Sequence, residues 1–343
     1  ATMTVGFAEA LMGLLPKGTF SNPNIAKAII VTIIVVLLTG LNLSGIKATK
    51  IVNNIVTTGK LLPLIIFIAV GLFFINGSNF TPFFTPGTLK DGTVMTSGAA
   101  IGAAALTIFY AFTGFENIAV AAEDMENPEK DVPKSILLVI LLCSVFYIAI
   151  IGIAIGILGP GLAKETAPVQ AAFTKIIGNA GKYLVGAGTL VSIGGINIAA
   201  SIGTPRSGAA LANDGLIPRV VAKKNSNDVP YIAIIITGII TLALGLYGSL
   251  IGSFAILAAI SVVSRFAQYV PTCLSIMILR KKRPDLKASF RVPFGWVIPI
   301  FASVVSCWLL YNATKQQIVI GLGGLVIGVV VYFLMKLINK ENA

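Results

Sequence analysis

Nine times along this chain an apolar run long enough to cross a bilayer is followed by a short polar stretch. A helix needs about 20 such residues to span hydrocarbon about 30 Å thick. The runs cover roughly 24–44, 51–76, 97–122, 134–158, 182–205, 231–250, 253–279, 295–313 and 317–338. Residues 1–15 (ATMTVGFAEALMGLL) read as the end of a further helix, stopped by Pro16. That opening has neither an initiator methionine nor a basic n-region, so a signal peptide is not expected there. The expectation is a chain that starts inside a longer protein.

Composition closes off the soluble alternatives. Of the 343 residues, 56% are hydrophobic and 11% charged, against about 25% charged in soluble domains. Too few ionised groups remain to cover a water-facing surface, which excludes a soluble enzyme. There are no histidines, which removes the commonest general base and metal ligand. Cys143, Cys273 and Cys307 all lie in apolar runs and form no CxxC pair, so neither a disulfide frame nor a zinc site is expected. No cofactor or metal is implied. The chain is expected to be an all-α polytopic membrane protein.

The formal net charge of +12 invites a nucleic-acid reading until the charges are placed. Assigned to alternate loops, sixteen lysines and arginines fall on one side, among them Lys130, Lys134, Lys223, Lys224, Lys336 and the RKKR run at 280–283. Seven fall on the other: Lys17, Lys27, Lys90, Lys164, Lys175, Lys182 and Lys315. The richer side is cytoplasmic, which places the C-terminus inside and makes RKKR a stop-transfer flank. Residues 77–96 then form an outer loop. An outer short helix is expected within 159–181, its Val169, Phe173, Ile176 and Ile177 suited to the membrane interface. The inner loop 206–230 is expected to hold another, closed by Asp214 and Gly215.

Polar groups at membrane depth are functional candidates by default. Lys60 lies nine residues past Ile51, roughly 13 Å into its span at 1.5 Å per residue. Two readings stay open: a coupling or structural cation, or a side chain reaching a polar cavity with no direct role. Arg265 stays charged, and an anchor to carbonyls or to an inner vestibule is preferred to a substrate contact. Thr113, Gly114 and Glu116 interrupt the run 97–122, where non-helical backbone is tolerated only if protein or a wet cavity satisfies it. A break there would free amide groups able to hold a zwitterion or an ion. A simple glycine kink is the competing account. Other patterns carry less: GNAGK at 178–182 lacks P-loop spacing. The acids at 123–131 read as a solvated inner loop with a helix starting near Pro133. GLGGLVIG at 321–328 reads as small-residue helix contact.

Four stretches together resemble amino-acid permeases of the amino acid–polyamine–organocation superfamily. They are NLSGIKATKIVNNIVTTGKLLPL (42–64), FYAFTGFENIAVAAEDMENPEKDVPKSI (109–136), RSGAALANDGLIPRVVAKKNSNDVP (206–230) and LRKKRPDLKASFRVPFG (279–295). The resemblance implies an inverted five-helix-repeat transporter fold, with the end of helix 3 and helices 4 to 12 present and the first two helices absent. It implies one transmembrane domain over 1–343: 1–76 from the first repeat, 97–279 as the second, and 295–338 as two final helices. Tyr110 resembles the aromatic residue flanking the substrate, and Ala111, Phe112 and Thr113, beside Gly114, the break that binds it. Lys60 resembles a lysine standing where related transporters bind sodium, with Ser192 as its expected neighbour. Glu116 resembles an acid proposed to sense protons.

The implied function is secondary transport of an amino acid across the cell membrane, with a proton as coupling ion and the lipid bilayer as surroundings. No nucleic-acid partner and no enzymatic activity are implied. An amino-acid or polyamine exchanger and a transporter-like nutrient sensor are the rival readings.

Overall fold

The computed structural model describes residues 1–343 except 17, 46–49, 84–86, 89–93, 119–121, 123–124, 166, 251–253, 284, 286–289, 291–293 and 342–343. Its helices are α1 (Thr2–Leu14), α2 (Pro23–Leu43), α3 (Lys50–Gly71), α4 (Ser97–Phe109), α5 (Pro128–Leu158) and α6 (Pro168–Ile177). Then come α7 (Asn179–Asn213), α8 (Tyr231–Leu250), α9 (Phe254–Lys282), α10 (Val297–Tyr311) and α11 (Lys315–Glu341). Six helical segments among the described residues are long and apolar enough to cross a membrane, and shorter apolar helices accompany them. The chain is helical as expected, with one addition. Gly87–Thr88 and Val94–Met95 pair as a short antiparallel hairpin in the loop before α4.

Helix starts follow local chemistry. Asn22 caps α2, its side chain accepting from the Asn24 and Ile25 amides at 3.1 and 3.3 Å, and Pro23 supplies a preset φ at the first position. Thr96 caps α4 through Ala99 N. Along α2, Val31 and Val35 are buried while Ile25, Ile29, Ile33, Val36 and Leu37 are exposed. Those spacings put one stripe against protein and the other toward lipid.

Two compact units result. The first comprises Ala1–Phe80, Ile150–Leu257 and Ile327–Ala343; the second, Thr81–Ala149 and Ala258–Val326. In the first, α2 packs along α8, while α1, α3 and α6 all pack on α7. Its core gathers Phe67, Ile153, Ile157, Phe173 and Val185, with the Phe67 and Phe173 rings edge to face at 5.6 Å. Buried polar groups are paired: Thr4 Oγ1 donates to Asn197 Oδ1 at 2.9 Å, and Asn42 Nδ2 to Ser201 Oγ at 3.0 Å. Glu9, within apolar α1, faces Lys27 Nζ at 3.8 Å. The second unit is built on Leu106, Ala259, Val262, Val263, Phe266 and Leu309.

Several sequence expectations change. The short helix expected within 159–181 exists as α6, but its apolar side packs on protein rather than lying in the interface: Phe173 is buried in the core, with Val169 and Ile176 against it. The segment after 205 does not open with a separate helix. It continues α7 through Pro205 to Asn213, and the chain turns at Asp214 and Gly215 (φ +74°). The helix expected near Pro133 begins at Pro128, so Pro133 sits within its early turns, where a missing N–H costs little. In the glycine run at 321–328, Gly321 makes the close contact, against Val263 and the Ile260 carbonyl.

The crossing of α3 and α7 depends on the absence of side chains. A Cβ on Gly188 would come 2.5 Å from Pro63 Cγ, and one on Gly59 would come 2.9 Å from Val191 Cγ1. Gly188→Leu is therefore expected to destabilise the protein by about 1–3 kcal/mol through overpacking. Gly203→Leu, where a Cβ meets nothing within 4 Å, should change stability by less than about 0.5 kcal/mol. Thermal melts of the detergent-solubilised full-length protein check both; equal melting of the two variants would refute the close crossing.

Candidate functional site: an interrupted helix

Helix α4 runs 13 residues, Ser97–Phe109, which at 1.5 Å per residue carries it about 20 Å. The chain then tightens into a 3₁₀ turn at Tyr110–Phe112 and leaves helical geometry. Thr113 is extended (φ −74°, ψ 148°) and Gly114 has φ +114°, ψ −16°. A second 3₁₀ turn follows at Phe115–Asn117. An L-residue is strained at the Gly114 geometry, and glycine is not. The structure thus holds a real interruption of the ladder rather than a bend in a continuous helix.

The polar groups released by that interruption have partners nearby. Thr113 donates to the Tyr110 carbonyl through both its amide, at 3.1 Å, and its hydroxyl, at 2.7 Å. The Tyr147 hydroxyl of α5 donates to the Ala111 carbonyl at 2.9 Å, and its ring meets Phe112 edge to face at 5.1 Å. The Gly114 amide donates to Glu116 Oε2 at 2.8 Å. The other carboxylate oxygen, Oε1, forms an ion pair with Arg265 Nη1 of α9. Tyr110 packs against the Leu106 and Phe266 core.

Aromatic contacts hold α9 beside the same segment. Tyr269, one turn beyond Arg265, stacks on Phe115 at 5.9 Å. Phe109, just before the break, lies against Phe266 at 5.3 Å and Tyr269 at 6.2 Å. The Tyr269 hydroxyl is buried and has no hydrogen-bond partner among the described residues.

Tyr110, Ala111, Phe112, Thr113, Gly114 and Glu116 therefore form one segment of the second unit. Lys60 and Ser192 belong to the first unit, on α3 and α7 beside the Gly59–Val191 approach. Pro63 has no N–H, so the Gly59 carbonyl four residues earlier loses its helical donor. That leaves an acceptor in the turn that carries Lys60. Sequence reasoning expected Arg265 to anchor to carbonyls or a vestibule; its partner is instead the Glu116 carboxylate. Tyr147 was not singled out at all. Its only signal was one hydroxyl in the apolar stretch 145–150. Elsewhere, Arg280 of the basic run donates to the Gly295 carbonyl at 2.9 Å, and the Arg283 guanidinium beside exposed Asp285 holds that carboxyl below its ordinary range.

The amino acid permease family model matches residues 1–335. The chain belongs to that family. Among its relatives, a branched-chain amino acid permease of Bacillus subtilis is 32% identical over 326 residues, covering 93% of this chain and 65% of that protein. The Bacillus subtilis methylthioribose transporter is 28% identical over 313 residues, covering 90% and 65%. A vacuolar cationic amino acid transporter of Arabidopsis thaliana is 27% identical over 290 residues, covering 82% and 43%. The permease chain spans just under two thirds of the length of the Bacillus proteins. The family and the apolar helices make it a multi-pass membrane protein, in a family of permeases rather than enzymes.

The permease break makes a direct demand on Gly114. Gly114→Ala should cost at least about 1 kcal/mol, because φ +114° does not suit a β-carbon. The cost would read as a lower melting temperature of the full-length protein. An unchanged melt would mean that this backbone geometry is not the one adopted in solution.

Proposed function

We propose that this chain is the greater part of a secondary transporter for an α-amino acid, working as a proton symporter in the cell membrane with its C-terminus in the cytoplasm. The observation that carries the reading is the interruption at Thr113 and Gly114, about 20 Å into an apolar helix. Non-helical backbone at that depth persists where it lines a cavity or a site. Residues Tyr110, Ala111, Phe112, Thr113 and Gly114 form the substrate-binding segment. Their carbonyls suit an ammonium group and their amides a carboxylate. The relatives named for amino acids support that class, and the 32% identical permease points to branched-chain substrates.

Proton coupling is assigned to Lys60 with Ser192 nearby. A lysine can lose its charge on burial, and Lys60 lies within α3 whereas Lys50, the other lysine of that helix, stands at its first residue. The repeats would run over 1–76 and 97–279, with 295–338 as two closing helices. Alternating access follows when one helix group rocks against another around a fixed site.

Proteoliposome uptake by the full-length protein tests this. L-Leucine should accumulate when an inward proton gradient is imposed, with L-arginine and methylthioribose as competing probes. Lys60→Met should lower gradient-driven accumulation by 10-fold or more while retaining counterflow. Accumulation of L-leucine that ignores the proton gradient would remove the coupling assignment, and counterflow without net uptake would make the protein an exchanger.

A further inference from the structure

The ion pair between Glu116 and Arg265 joins two parts of the second unit that the chain separates widely. Glu116 uses both carboxylate oxygens. Oε2 accepts from the Gly114 amide, the residue at φ +114°, and Oε1 meets the Arg265 guanidinium on α9. Both side chains are mostly withdrawn from solvent, at 31% exposed for Arg265 and 19% for Glu116. One turn further along α9, Tyr269 stacks on Phe115, and Phe266 and Tyr269 hold Phe109. Positions 265 and 269 lie on one face of a helix. That face thus contacts the chain immediately before the break and immediately after it.

We propose that Arg265, acting through Glu116, is a staple that fixes the unwound segment 110–117 to α9, and that both are positioning residues for the substrate rather than carriers of the coupled proton. The chemistry suits that role. A carboxylate between an amide and a guanidinium is a charge-assisted bridge with defined direction, and it sits at the turn whose geometry aims the neighbouring carbonyls. Arginine stays charged throughout the working range. Among the described residues, the other ionisable side chains shown in contact with the segment are Tyr269 on α9 and Tyr147 on α5. A Glu116 that cycled between charged and neutral forms would repeatedly leave Arg265 without its counter-charge. This inference rests on the substrate-segment reading above, so its test has one arm that is independent of transport.

In that arm, a single cysteine at position 112, in a cysteine-free background of the full-length protein, is labelled with a methanethiosulfonate reagent in detergent. Labelling should speed up 10-fold or more in Glu116→Gln and Arg265→Met. It should return toward the starting rate in the charge-exchanged Glu116→Arg/Arg265→Glu protein, which also covers the event that a single variant folds poorly. In the second arm, with L-leucine as the probe, Arg265→Met should raise KM for uptake about 10-fold with a smaller change in kcat. Glu116→Gln should keep the stimulation by an imposed proton gradient. Unchanged labelling in both single variants would overturn the staple. Loss of gradient stimulation in Glu116→Gln with KM unchanged would overturn it as well, by making Glu116 the coupling group. Altered labelling and rescue in a protein that moves no L-leucine would uphold the staple and sink only the amino-acid reading.

Discussion

Inside a bilayer a peptide group has no water to bond to, and an unsatisfied one costs several kcal/mol. That constraint governs the place where the apolar run 97–122 abandons helix among the described residues. Between Tyr110 and Asn117 three groups released from the ladder, the Tyr110 and Ala111 carbonyls and the Gly114 amide, have local partners. Thr113 returns a hydroxyl and an amide to the Tyr110 carbonyl, Tyr147 reaches across from α5 to the Ala111 carbonyl, and Glu116 takes the Gly114 amide. The result is a defined conformation with its own hydrogen-bond network. An open gap in a helix, waiting for a ligand to fill it, is not what the structure holds. A substrate that uses these groups must compete with internal partners, and that competition is a physical route by which occupancy can change the segment's shape.

The first unit meets the same constraint in a different way. Its helices stay largely regular, and close approach comes from missing side chains, as at Gly188 against Pro63. Lipid tails are as apolar as leucine, so helix association in a membrane rests on such contacts and on a few hydrogen bonds. Thr4 with Asn197 and Asn42 with Ser201 provide those bonds, and the pair Glu9–Lys27 keeps a carboxylate in α1 from standing alone. The same crossing that demands Gly59 and Gly188 contains Pro63, which frees a carbonyl in the turn of Lys60. Tight packing and a loosened hydrogen-bond ladder therefore coincide at one point of α3.

How much of this was legible in the sequence follows from the range of each interaction. Spans were readable because hydropathy is a sum over neighbours, and α2, α8 and α11 fall within a few residues of the runs that announced them. The interruption was readable because Thr113, Gly114 and Glu116 stand together in an apolar stretch. Helix ends were less so. Pro133 and Pro205 look like boundaries, yet both lie inside helices, because the flanking turns supply enough bonds to carry the helix past one missing donor. The apolar side of α6 was read as facing the interface, since a period of 3.6 marks an apolar stripe without saying what covers it. Arg265 and Glu116 were each noticed as costly charges at depth, but nothing local states that they are partners. Only the packing of α9 beside the break does.

That pairing also bears on where a coupled proton can reside. A group that exchanges protons during a cycle must have surroundings that tolerate both of its states. Glu116 has surroundings built for one: an amide donor on one oxygen and a permanent cation on the other. Removing one member of such a pair strands the other, and stranded charges away from water are among the most destabilising changes a protein can undergo. Lysine on α3 differs in kind. Its ammonium can become a neutral amine, which needs no counter-charge. On the proposed reading, the substrate groups lie in the broken helix, Glu116 and Arg265 stay committed to its geometry, and the proton is left to α3.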